Sequence, residues 1–252
     1  MVILKSPREI EKICRSNLIV AEILEILKEK VTPGIDTLTL NNISEELALK
    51  RKARPAFKGY RGYPYSLCTS VNEEVVHGFP SKRPLKEGDI LSMDFGICYD
   101  GYYGDAAITV PVGNTSDMAQ RLMKTTKEAL FLGIEQTVPG KRLSDISHAI
   151  QSHVEAAGFS VVRKFVGHGI GKALHEDPQI PNYGKPGMGI RLKPGMVFAI
   201  EPMVNVGGYE VETLEDGWTT VTKDGSLSAH FEHTIAIMED GPVILSAADG
   251  SV

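Results

Sequence analysis

The sequence predicts a mixed helix-and-strand protein made of two similar α/β halves, and three observations predict it. Amphipathic helical periods alternate with short β-rich runs along the chain. Residues 85–95 read LKEGDILSMDF and residues 192–202 read LKPGMVFAIEP, which sets Asp94 and Glu201 at matching positions of an internal repeat. The repeat continues in chain order. Pro33-Gly34 answers to Pro139-Gly140, VHGFP to GHGIG so that His77 matches His168, and YGDAAITV to HFEHTIAI so that Asp105 matches Glu232. Acid, histidine and turn positions that agree in order leave chance resemblance between two strand entries a poor account.

The first helix opens at Ser6-Pro7-Arg8-Glu9, a capping box with proline at the first helical position, and carries the apolar stripe Ile10, Ile13, Leu18, Ile19, Ile23 and Leu27. A second helix fits 36–51 and a third 116–136. A fourth starts at Ser144 and stops at Gly158, a glycine C-cap. Strands fit ILSMDFGI, AAITVPV, MVFAIEPMV, GWTTVT and FEHTIAIM. No low-complexity linker divides them, so 1–252 is expected to form one catalytic domain with halves at roughly 7–112 and 116–246.

A formal net charge of −5 gives no attraction for nucleic acid or an anionic membrane surface. Cys14, Cys68 and Cys98 form neither a disulfide framework nor a CxxC pair, as suits a reducing compartment. With no apolar run of membrane length and no leader-like start, a cytoplasmic protein is expected.

Asp100-Gly101 in GICYDGYYGD is a two-residue hairpin signal. A regular turn there sets Gly96 opposite Asp105 and Ala107 opposite Asp94, making the aspartates diagonal neighbours about 7 to 8 Å apart on one face. Two carboxylates with so little side chain between them repel or take up protons unless a cation intervenes. Glu201 and Glu232 fall at equivalent places in the second half, and His168 stands among Gly167, Gly169 and Gly171. Four carboxylates and an imidazole can hold two divalent ions, and the set suits manganese, iron, cobalt or magnesium better than a thiolate-preferring structural zinc. Two ions about 3.5 to 4 Å apart would bridge a water, acidify it and polarise a carbonyl, which is hydrolytic chemistry.

The motifs VNEEVVHG, SMDFG, YGDAAIT, GHGIGKALHEDPQIPN, AIEPM, EDGWT and AHFEHTI stand in order along the chain. In them the sequence resembles type I methionine aminopeptidases over essentially its whole length. The resemblance implies the α+β pita-bread fold, a pseudo-two-fold pair of α/β halves with a curved antiparallel sheet backed by helices. It implies two divalent ions per chain (cobalt, manganese, iron or zinc) held by Asp94, Asp105, His168, Glu201 and Glu232, with Asp105 and Glu232 bridging. Glu201 would also be the base on the bridging water, His175 the donor to the scissile carbonyl oxygen, and His77 a contact to the scissile amide. Phe57, Tyr60, Tyr63, Cys68, Leu174 and Trp218 match the methionine pocket; Phe57 stands where Cys is often found and Leu174 where Phe is common. Asn72 and Ser228 match residues lining a monovalent-cation site in some relatives. The substrates implied are nascent polypeptide N-termini with a small second residue, met at the ribosome by a monomer, with no specific nucleic acid and no membrane.

The other histidines fare differently. His148 and His153 read as ordinary helix residues, His230 shares strand parity with Glu232, and His233 should point to the opposite face. GHGIGK is no phosphate loop, since Val166 stands where the first glycine belongs and Ala173 replaces Ser or Thr. Two rival readings are a proline-specific aminopeptidase and a non-catalytic binding module. The first usually carries a large extra N-terminal domain, whereas the first catalytic-domain helix here begins near residue 7; the second has lost ligands that this sequence keeps.

Overall fold

Helix α1 (Pro7–Lys30) starts where the Ser6 hydroxyl accepts the Glu9 N–H at 3.4 Å and the Glu9 carboxylate accepts the Ser6 N–H at 2.9 Å, the reciprocal cap read from the sequence. Residues 2–247 are described in a computed structural model; Met1 and 248–252, part of the single-domain reading, lie outside the described residues. Helix α2 (Thr37–Lys50) is capped by Asp36, whose carboxylate accepts the Thr39 N–H at 2.8 Å, and α3 (Asp117–Glu135) by Ser116. Helix α4 (Leu143–Ala156) begins one residue before the expected Ser144. The cap there is the Asp145 carboxylate on the Arg142 N–H at 2.8 Å, while the Ser144 hydroxyl exchanges hydrogen bonds with the backbone of Met188. Gly158 follows in the left-handed conformation, φ 84°, as a helix terminator should. Leu18, assigned to the apolar stripe of α1, is instead exposed.

The strands of the first half are β1 (Arg54–Pro55), β2 (Cys68–Val71), β3 (Glu74–Val76), β4 (Ile90–Tyr99) and β5 (Tyr102–Pro111). Those that follow are β6 (Ser160–Val161), β7 (Gly167–Gly169), β8 (Glu176–Ile180), β9 (Val197–Ile200), β10 (Met203–Asn205), β11 (Val211–Thr213), β12 (Thr220–Thr222), β13 (Ser228–His230), β14 (Glu232–Met238) and β15 (Gly241–Ile244). MVFAIEPMV, expected as one strand, is two. Pro202 has no N–H for the ladder, so β9 ends at Ile200, Glu201 and Pro202 lie between the strands, and the chain turns into a second sheet as β10. In GWTTVT the strand begins only at Thr220, because Asp216 accepts the Trp218 and Thr219 N–H groups, both at 2.8 Å, and curls EDGW into a turn.

A nine-stranded antiparallel sheet runs β1-β4-β5-β14-β9-β7-β8, with β2 on β4 and β15 on β14. The halves therefore meet where β5 pairs with β14. Helices α1 and α2 lie against the strands of the first half, α3 and α4 against those of the second. On the helix side, Leu91, Met93, Phe95 and Ile97 pack on Val20, Ile23, Leu24 and Leu27, while Phe198, Ile200, Ile235 and Ile237 pack among Leu122, Leu130, Ile146 and Ile150. Each such side chain contributes about 1.5–3 kcal/mol, so one face of the sheet carries stability and leaves the other free for polar groups.

Gly167 shows how tightly β7 sits on β9, since a Cβ there would lie 2.4 Å from the Ala199 carbonyl oxygen and 3.3 Å from the Ile180 side chain. Backbone cannot yield as a side chain does. Gly167→Ala is therefore expected to cost about 1–3 kcal/mol, a melting-temperature drop of roughly 2–10 °C by calorimetry; an unchanged melting temperature would contradict the packing.

Candidate active site

Because the Asp100-Gly101 turn has φ of 49° and 78°, a two-residue mirror-image turn, β4 and β5 pair in the register read from the sequence: Asp94 opposite Ala107 and Gly96 opposite Asp105. Ala107 is also opposite Glu232 across the β5–β14 seam, so a methyl group stands between two carboxylates. Ile200 pairs with His233, which brings Glu201, at the end of β9, next to Glu232; Ala199 pairs with His168 on β7. Five successive strands thus present Asp94, Asp105, Glu232, Glu201 and His168 on one face. Ligand atoms of Asp105, His168 and Glu232 all lie within 4.8 Å of one another.

Among the described residues, Oδ1 of Asp94, Oδ1 of Asp105 and Oε1 of Glu232 are buried without a hydrogen-bond partner. Orphaned carboxylate oxygens this close together are costly. Burial pushes all four acids up, to about 7 for Asp94 and about 8 for Glu201, and well above the usual range for Asp105 and Glu232, where neighbouring carboxylates add to it. A cluster that holds protons for want of positive charge fits a divalent-metal site. The donors agree with that: His168 Nδ1 lies 2.9 Å from the Gly169 carbonyl, which takes its N–H and leaves the Nε2 lone pair 3.5 Å from Glu201. Burial and the neighbouring His175 lower its pKa to about 3, so the ring is neutral, as a ligand must be.

His175 stands at the cleft rim, its ring 4.2 Å from that of His168 between centroids, with Nδ1 2.9 Å from the Tyr60 hydroxyl. Desolvation and the Arg61 guanidinium hold it near 4. His77 follows β3 with φ 61°, a left-handed conformation rare outside glycine that turns its ring edge-on to Phe165 and Trp218. Burial, then His230, His175 and Lys164, lower it to about 4. His230 lies 3.6 Å from Glu201, beside the site as its parity suggested.

One cavity of about 160 Å³ takes in the whole set: the four acids and His168, His77, His175, and Phe57, Tyr60, Tyr63, Cys68, Leu174 and Trp218. Phe57 fits because Gly96 has no side chain; a Cβ there would be 2.8 Å from its ring. Tyr63 packs edge-on to Trp218 at 5.1 Å and sets its hydroxyl 2.9 Å from the Gly78 carbonyl. Cys68 pairs across the ladder with Asp94, but burial raises its thiol well above the ordinary value, making it an apolar wall rather than a thiolate ligand. Tyr65 packs among Tyr63 and Phe79, outside that cavity.

Arg61 also lines the cavity and was missed. Its place in the aromatic run YRGYPY was the available signal. Asn72 and Ser228 are joined by the Ser228 N–H to the Asn72 carbonyl at 2.8 Å, away from the cavity lining. His148 is exposed, His153 pairs with Glu128 at 3.2 Å, and His233 faces the helices against Phe131. The glycines of GHGIG mainly admit neighbouring backbone: a Cβ on Gly169 would meet the Asp177 carbonyl at 2.3 Å. No helix among the described residues is long and apolar enough to cross a membrane.

Residues 11–239 match the model of metallopeptidase family M24. A methionine aminopeptidase 1 from Bacillus subtilis is 56% identical, the match covering 98% of this chain and 99% of the relative. The crystal structure of a methionine aminopeptidase from Thermotoga maritima superposes with a TM-score of 0.97 at 51% identity, covering 98% of this chain and all of that one. A prolidase from Pyrococcus horikoshii, 23% identical with a TM-score of 0.79, shares the fold alone, and this chain spans 64% of it. The architecture is the pita-bread fold.

Stability of the metal-free protein should report the acid cluster. Protonated Asp94 and Glu201 contribute fully at low pH, and that contribution is lost as pH rises through their folded values of about 7 and 8. Neutral His77, His168 and His175 act the other way, contributing above 6.5 and losing it as pH falls toward about 3 to 4. Above pH 6.5 only the acids remain. The melting temperature in chelator should fall from about pH 6.5 to 8.5, and the increment produced by Mn²⁺ should grow over the same range. A chelated protein that gains stability there would contradict the cluster.

Proposed function

The chain belongs to metallopeptidase family M24, and on that premise we propose that it removes the N-terminal methionine from nascent proteins and peptides by metal-dependent hydrolysis. One observation carries the reading: a single cavity joins a carboxylate-rich metal site to an aromatic and thioether-sized apolar wall, so a side chain held at one end presents its peptide bond at the other. The whole chain acts as one catalytic domain with two internal halves.

Asp94, Asp105, His168, Glu201 and Glu232 would hold the two divalent ions; cobalt, manganese, iron and zinc all suit these donors. When bound, such ions polarise a carbonyl and make water acidic enough to attack near neutral pH. Ionised once the site is loaded, Glu201 would take the proton of the attacking water, and the burial that raises its pKa to about 8 in the bare chain makes its carboxylate a stronger base. With the Tyr60 hydroxyl donating to Nδ1, neutral His175 carries its proton on Nε2 and donates it as a hydrogen bond to the carbonyl oxygen as charge develops there. His77 contacts the amide whose nitrogen leaves. Phe57, Tyr60, Tyr63, Cys68, Leu174 and Trp218 enclose the methionine side chain. A monovalent cation beside Asn72 and Ser228, which a backbone hydrogen bond sets next to each other, is part of the same reading. The enzyme works as a cytoplasmic monomer on N-termini emerging from the ribosome.

His175→Ala should lower kcat about a hundredfold or more while metal content stays near wild type. His168→Ala and Glu232→Gln should instead lose metal, measured by elemental analysis after dialysis. Equal stoichiometry in the His168 and His175 variants would overturn the division between ligand and donor.

Substrate choice tests the assignment itself. Values of kcat/KM over a Met-Xaa-Ser series should be high for Ala, Gly and Ser, lower for Val and Thr, and about a hundredfold or more below Met-Ala for Leu, Lys and Phe, because a bulky second residue displaces the scissile carbonyl. N-acetylation should stop turnover. Preference for proline at the second position without a demand for methionine would favour the proline-specific reading.

A further inference from the structure

The third glycine of GHGIGK has no part in the chemistry above, yet Gly171 is among the most crowded glycines of the fold. A Cβ on it would lie 2.5 Å from Lys5 Cε and 2.8 Å from Glu176 Oε1. What it makes room for is an ion pair between Lys5 and Glu176, whose side chains are only 5% and 12% exposed. Lys5 belongs to the segment before α1, and its backbone N–H donates to the Gly195 carbonyl at 2.7 Å, on the turn leading into β9. Its ammonium also reaches the Ile3 carbonyl at 3.2 Å. Glu176 immediately follows His175, and its second oxygen accepts the Ala173 N–H at 3.2 Å. The same loop is fastened to β5 by the Tyr103 N–H on the Gly171 carbonyl at 2.8 Å.

We propose that Lys5 is a positioning residue: paired with Glu176, it pins loop 170–176 against the sheet and so fixes where His175 meets the scissile carbonyl. The inference rests on the aminopeptidase reading above. The physical reason lies in the asymmetry of buried ion pairs, since removing one partner leaves the other's charge desolvated and unpaired. Without the ammonium, Glu176 is drawn toward water and away from the Ala173 N–H that its carboxylate holds, which loosens the loop that carries His175. Leu174 is also held by the apolar cluster under the pocket, which includes Ile13 of α1, so the methionine wall stays in place. Lys172, the other cation of the loop, is exposed and 3.5 Å from Glu9, too far committed to substitute.

Lys5→Met keeps the length of the side chain and removes the charge. On Met-Ala-Ser at 25 °C we expect kcat to fall about 10- to 100-fold with KM changed less than about threefold, the size of effect that a displacement near 1 Å produces at a reacting centre. Lys5→Arg should restore most of the loss, and Lys5→Met combined with Glu176→Gln should be more active than Lys5→Met alone, because no charge is then left unpaired. In the metal-free protein, amide hydrogen exchange of the peptide spanning 170–177 should accelerate about tenfold in Lys5→Met while the β4–β5 hairpin is unchanged. A Lys5→Met protein with wild-type kcat, whatever its melting temperature, would overturn the proposal, as would unchanged exchange in that peptide. Should Lys5→Met fail to fold, Glu176→Gln alone is read the same way, with lower kcat expected and unchanged kcat fatal. Wild-type protein inactive on Met-Ala-Ser would refute the aminopeptidase reading, and the exchange measurement would still decide whether Lys5 pins the loop.

Discussion

Four carboxylates on one face of a sheet, two buried and two half-buried, repel one another and lose water, and everything else in this structure either accommodates or exploits that constraint. Three of their oxygens have no hydrogen-bond partner, and burial drives their pKa values toward or beyond neutrality. Such an arrangement is tolerable only because the opposite face of the same strands buries continuous aliphatic layers against two pairs of helices. Divalent ions remove the penalty directly, so a cluster that strains the bare chain becomes a source of stability once loaded.

The neutral histidines are the other side of this electrostatics. His77, His168 and His175 could in principle offset the acids as imidazolium ions, yet desolvation and mutual repulsion hold each of them uncharged. Neutral rings keep a lone pair for a metal or an N–H for a developing oxyanion. The Gly169 carbonyl, an acceptor only, fixes one tautomer of His168, whereas the Tyr60 hydroxyl can serve either nitrogen state of His175.

Around that centre the fold uses absent side chains as deliberately as present ones. Ala107 spaces two acids, Gly96 admits Phe57, and Gly167, Gly169 and Gly171 let strands, a carbonyl and an ion pair approach the histidine loop. Pro202 stops β9 at Ile200, so Glu201 sits just past the strand, where the chain passes from one sheet to the other. The apolar wall of the cavity then lies beside the acids because β2, carrying Cys68, pairs with β4, carrying Asp94.

The sequence by itself determined what is encoded locally or by repetition. The Ser6 and Asp36 caps, the Asp100-Gly101 turn, the Asp94–Ala107 register and the paired positions of the two halves follow from short-range hydrogen bonding and strand periodicity, which neighbours in the chain control. Ser144 misled because a cap depends on where the hydroxyl is needed, and Met188, distant in sequence, needed this one. Arg61 was signalled only by its place in the aromatic run YRGYPY, and nothing near Lys5 in the chain says that its ammonium meets Glu176 beneath the loop of His175. Only the tertiary structure decided those contacts, as it decided that Asp105, His168 and Glu232 from three strands converge within 4.8 Å, because burial and charge pairing between distant segments depend on how the two halves close on each other.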